Sequence, residues 1–109
     1  MTIVEAPLPA KAFPAADVEV ALRNELLAAL NIEASLRGIS LPTDPTAASA
    51  IPLEIDSLVV VSLLCGLEPL MGFQIPEGIV QAGGYQSVND TVTHLMPKLG
   101  HEWLKRRSK

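Results

Sequence analysis

An acid, a serine and a leucine, Asp56-Ser57-Leu58, stand directly before the run Val59-Val60-Val61-Ser62-Leu63-Leu64-Cys65-Gly66-Leu67-Glu68. Read as a loop entering a helix, Asp56 is the N-cap, its carboxylate accepting from free N–H groups of the first turn. Ser57 then takes the first helical position, its hydroxyl near the positive end of the helix dipole. A covalently attached phosphate is well held there. Other side chains offer less chemistry. Ser57 lies beside an acid, but no histidine has local support as its base, so a Ser-His-Asp hydrolase is poorly supported. The single Cys65 excludes an internal disulfide and a multi-cysteine metal site, and is expected to be a small core or partly buried residue. His94 and His101 lie seven apart with no clustered carboxylate or cysteine, which predicts surface or tail histidines rather than metal ligands. Gly83-Gly84 reads as a turn, because no Lys-Ser/Thr follows to make a phosphate loop. No catalytic residue and no metal ligand is assigned.

Further along, Glu68-Pro69-Leu70-Met71-Gly72-Phe73-Gln74-Ile75-Pro76-Glu77 follows without a gap, and Ser87-Val88-Asn89-Asp90-Thr91-Val92 comes later. This ordered set resembles the acyl carrier proteins. Their pattern is Asp-Ser-Leu, an amphipathic helix ending in Glu and a large apolar residue, then Gly-x-x-Ile-Pro-Asp/Glu and a last helix opening Thr-Val-x-Asp-x-Val. The resemblance covers most of residues 15–99. It implies an all-α fold: a four-helix acyl-carrier-like bundle with a long loop between helices one and two and a short third helix. It also implies a 4′-phosphopantetheine arm, taken from coenzyme A by a phosphopantetheinyl transferase and attached at Ser57, with Asp56 and Leu58 beside it. The arm's thiol would hold an acyl or aminoacyl group as a thioester, and the chain itself would be no enzyme. The Asp-Ser-Leu form looks more like acyl carriers than peptidyl carriers.

The implied partners are the transferase, an acyl- or aminoacyl-loading ligase or transferase, and synthase or acyltransferase enzymes. Their setting would be a lipid pathway such as fatty acid biosynthesis, or a secondary-metabolite pathway. Val61, Leu64, Ile79, Val92 and Leu95 are expected to converge on an aliphatic interior, where related carriers shield an acyl chain. One departure is informative. Carriers of this family bear several acids on the second helix, but Val59, Ser62, Pro69 and Leu70 stand at such places here and only Glu68 follows the pattern. Val59, Ser62 and Glu68 are therefore expected to face a partner, with apolar contact replacing charge. The competing reading is an unmodified, carrier-like adaptor acting only through protein–protein contact.

Elements must position these residues. Residues 1–14 hold Pro7, Pro9 and Pro14 and no apolar period, which predicts a flexible leader. Val18, Leu22, Leu26 and Leu30 recur every four residues, predicting a first helix from Ala15 that ends near Gly38. Pro42, Pro45 and Pro52 make 38–55 a long loop, anchored by Ile39, Leu41, Ile51 and Leu53. The second helix runs from Ser57 to Leu67 or Met71, with a kink or early end expected at Pro69, and Gly72 closes it. Ile75-Pro76-Glu77 opens a short third helix through about Ala82, broken by Gly83-Gly84. Ser87 caps the fourth helix, with Asp90 three residues later. Val88, Val92, Leu95, Met96 and Leu99 are its buried stripe. Pro97 interrupts its ladder, and Gly100 is expected to end it. Residues 15–100 are thus the carrier-like domain and 101–109 a basic tail anchored by Trp103, a weak case for docking to an acidic partner or anionic surface.

Composition agrees with one small aliphatic core: 109 residues, 49% apolar and only 4% aromatic, favour helices over a sandwich. Net charge divides into −7 over residues 1–100 and +3 over 101–109. The acidic body argues against nucleic acid and suits basic protein partners. No segment has the apolar length of a membrane span, so a cytoplasmic protein without stable membrane insertion is expected.

Overall fold

Val18, Leu22, Leu26, Leu30 and Ala34 recur at every fourth position, and all five are buried along one face of α1, the helix Ala15–Arg37. Its start, at Pro14, has no side-chain cap. A cap contributes about 1 kcal/mol, whereas burying one Leu or Val contributes about 1.5–3 kcal/mol, so the stripe is what holds this helix. Its end is the left-handed Gly38, as expected, with the Gly38 and Ile39 N–H groups donating to Ser35 and Ala34 carbonyls.

The computed structural model describes residues 12–107, and α1 is followed by α2 (Pro45–Ser49), α3 (Ser57–Met71), one 3-10 turn (Glu77–Ile79) and α4 (Val88–Arg107). The described residues contain no strand, only an isolated antiparallel bridge between Ile55 and Tyr85. None of their helices is long and apolar enough to cross a membrane. Contacts fix the helix directions. Arg23 of α1 donates to Asn89 at the start of α4 (2.8 Å), and Phe13 before α1 packs against Trp103 near its end, so α1 and α4 run antiparallel. Glu25 lies against Gly66 while Leu30 and Val59 line one groove, so α1 and α3 are also antiparallel. One core joins these three helices through Val60, Leu64, Leu67 and Met71 of α3 and Val88, Val92, Leu95 and Leu99 of α4.

The described residues form four helices, but they are not the four expected. The short one lies inside the expected loop: Asp44 caps it through Thr46 N–H (3.4 Å), and Pro45 fills its first position, where no N–H is needed. Of that loop's four apolar anchors, Leu53 is buried, Leu41 and Ile51 pack on the core, and Ile39 stays exposed. The expected third helix is only the turn Glu77–Ile79. Pro69 does not end α3, which continues to Met71 and closes on left-handed Gly72. Pro69 and Cys65 both face solvent, so water can satisfy the Cys65 carbonyl that loses its helical donor.

The largest correction concerns the C-terminal end. Gly100 does not stop α4, and residues 101–107 are helical rather than a tail. Glu102 is buried there with Lys105 at 3.4 Å, and Trp103 packs on the core with its ring 6.0 Å from that of Phe13. Gly100 admits the Phe13 ring, whose edge would lie 3.4 Å from an added Cβ. Arg106 covers the Phe73 ring at 4.8 Å. Residues 1–11 of the expected leader, and Ser108 and Lys109, lie outside the described residues.

Candidate functional site

Ser57 is the first residue of α3, as its sequence context predicts. Asp56 is extended, and its Oδ1 accepts from Leu58 N–H at 2.6 Å while its carbonyl accepts from Val60 N–H at 3.1 Å. The N–H groups of Ser57 and Val59 are left without a partner among the described residues, as is the Ser57 hydroxyl. Ser57 is half-buried, its neighbours Leu58 and Val59 exposed at 76% and 39%. A helix start with two free N–H groups and an accessible hydroxyl can hold an anionic ester at that oxygen.

What fixes this helix start is the Gly83-Gly84 loop, which does more than turn the chain. Ile55 and Tyr85 exchange two backbone hydrogen bonds, 2.8 and 2.9 Å, one residue before the cap. Gly83 and Gly84 both lie in the left-handed region. At Gly84 a Cβ would collide with the Ile55 carbonyl oxygen and sit 3.1 Å from Ser57 N, so only glycine lets the loop approach. The Tyr85 hydroxyl accepts from Gln81 N–H at 2.9 Å and shares a hydrogen bond of 2.7 Å with His94 Nδ1. Burial pushes the Tyr85 hydroxyl's pKa up, against the opposing pull of the Gln81 N–H. His94 is thus half-buried and partnered rather than a free surface histidine. His101 is exposed, and so is Cys65, which stands on the solvent side of α3 instead of in the core.

Of the residues expected to face a partner, Val59 and Ser62 are exposed, but Glu68 is engaged internally. Its Oε2 accepts from Ile75 N–H at 2.9 Å, tying the end of α3 to the Ile-Pro-Glu segment. The five residues expected to form an interior pocket separate into three environments. Leu64, Val92 and Leu95 are core, Ile79 packs against it half-buried, and Val61 lines an open groove with Leu64, Glu68, Ile75 and Arg106. A second groove, about 410 Å³, is lined by Asp56 and Val59, which flank Ser57 in the chain. Ala29, Leu30 and Ile32 of α1 form one wall and Ile55, Asp56 and Val59 the other. Among the described residues no three His, Cys, Asp or Glu side chains are grouped to hold a metal ion.

No family model, curated protein or solved structure matches this chain.

Proposed function

We propose that this chain is a carrier: Ser57 takes a 4′-phosphopantetheine arm from coenzyme A, and the arm carries an acyl or aminoacyl group between partner enzymes. The observation that carries this reading is the unpartnered Ser57 hydroxyl at the first position of a capped 15-residue helix, in register with Asp-Ser-Leu and Ile-Pro-Glu. The residues fit the group. Its phosphate would lie at the Ser57 and Val59 N–H groups, and Asp56 Oδ1 is occupied by Leu58 N–H.

Attachment is a phosphoryl transfer carried out by a separate transferase. Ser57 Oγ forms a bond to the phosphorus on the pantetheine side of the pyrophosphate, the bridging P–O bond breaks, and adenosine 3′,5′-bisphosphate leaves. The serine proton passes to a base of the transferase. When bound, the arm supplies a terminal thiol for thioester exchange. This chain's residues present and orient: Asp56 holds the helix start, the Ile55–Tyr85 bridge and Gly84 keep it in place, and the exposed Leu58 and Val59 give an apolar surface to a docking enzyme. Loading partners, synthase or acyltransferase enzymes of a lipid or secondary-metabolite pathway fit such a surface.

The test is incubation with coenzyme A and a broad-specificity phosphopantetheinyl transferase, followed by intact mass. Wild type should gain one phosphopantetheinyl unit and Ser57→Ala none. Wild type left unmodified by several transferases would favour an adaptor that works through its apolar surface alone.

A further inference from the structure

The groove beside Ser57 has a lining that selects its occupant. We propose that it receives a cargo group with an apolar body and a free ammonium at its far end, making the carried class a terminally aminated acyl group rather than a plain fatty or carboxylated one. The inference rests on the carrier reading of Ser57.

Position comes first. Asp56 and Val59, on either side of Ser57, are both groove walls, so a flexible arm on Ser57 Oγ can fold back into it. The volume, about 410 Å³, is that of a small-molecule site. The alternative interior is closed: Val60, Leu95 and Leu99 are wholly buried and Leu64 and Val92 nearly so, and a close-packed core must open to admit a chain. The groove is already open.

Chemistry then narrows the class. Ala29, Leu30, Ile32 and Val59 make an apolar floor, on which each methylene withdrawn from water favours the bound state about fourfold. Three carboxylates and one cation also line the groove. Arg37 Nε lies 2.7 Å from Glu33 Oε2, so those two charges satisfy each other. Asp56 Oδ1 is held by Leu58 N–H, and its charge is offset by the positive end of the α3 dipole that it caps. Glu54 is left, exposed and without a partner among the described residues. A carboxylated cargo meets repulsion there, and a neutral chain gains the floor only. An ammonium at the end of a short apolar chain gains both.

Because Glu54 is exposed, the charge contribution is that of a surface pair, about 1.4- to fivefold in population. The measurement uses Ser57-linked arms bearing aminocaproyl, caproyl and adipoyl groups of matched length, with intact mass confirming each. Amide chemical shifts at Ile32, Glu54, Val59 and Gly83 report the fraction in the groove. Occupancy should fall from aminocaproyl to caproyl to adipoyl. Glu54→Gln, at an exposed side chain, should erase the aminocaproyl advantage and keep the caproyl shifts. A separate titration of the unmodified chain with hexylammonium and hexanol reads the groove without any arm. Equal shifts for the three cargoes, or a preference surviving Glu54→Gln, would overturn this proposal and leave the carrier reading standing. An arm that never attaches overturns both as stated, and hexylammonium moving the groove no more than hexanol removes its charge selectivity as well.

Discussion

Tyr85 is the residue on which the geometry around Ser57 most visibly depends, and it is the chain's only tyrosine. Its backbone pairs with Ile55, and its hydroxyl joins Gln81 to His94. Burial raises its pKa, which makes the folded state hold the proton more tightly than the unfolded chain. The sign follows. The contribution is fully present below the unfolded value of about 10 and is lost as pH rises from there through the folded value. Tyrosinate absorbance should therefore appear above the pH at which a model tyrosine ionises, and unfolding should become easier over the same window. In Tyr85→Phe that alkaline loss should be smaller. An absorbance titration matching free tyrosine would contradict the burial argument.

At the scale of elements, two loops are held by glycines for different reasons. Gly72 ends α3 in a left-handed turn with open space around it, whereas Gly84 has both a positive φ and the Ile55 carbonyl in the way. Gly84→Ala should cost about 1–3 kcal/mol through overpacking alone, with backbone strain in addition, and amide exchange at Ile55 and Ser57 should quicken. Chemical denaturation with unchanged midpoint would mean that the loop is free to retreat. Much at this scale was legible. Asp56, Gly38 and Gly72 act through bonds within a few residues, so capping chemistry places them, and the period-four stripe of α1 needs no partner to be recognised. What was missed has two sources. Asp44-Pro45 is a cap followed by a first-position proline, a local signal hidden because three prolines read as loop. The Ile55–Tyr85 bridge joins residues distant in sequence, and nothing in either neighbourhood announces it.

For the whole molecule, the error at Gly100 has the same non-local origin. A helix with Pro97 and Gly100 inside it has poor intrinsic propensity, yet α4 continues because Phe13, from before α1, gives Trp103 something to pack against. Exposure of Pro97 lets its missing donor be replaced by solvent. Trp103→Ala should then lower stability by on the order of 2 kcal/mol, less than the roughly 3–5 of a fully enclosed ring. Leu104→Ala, at a side chain 64% exposed, should change it by less than about 0.5 kcal/mol. Equal effects would restore the picture of a solvated tail. The same packing means that Lys105 and Arg106 are not loose charges, since one meets Glu102 and the other Phe73.

The fold places a capped serine, a carboxylate-rimmed groove and an apolar surface at one end of α3, and the account turns on what happens at the serine. The most direct measurement is peptide-level mass spectrometry after treatment with coenzyme A and a phosphopantetheinyl transferase. The prediction is a single phosphopantetheinyl unit localised to Ser57, absent from Ser57→Ala and sharply slowed when Asp56→Ala removes the cap. Modification at another residue, or an unmodified wild type under conditions that load a known carrier, would contradict it.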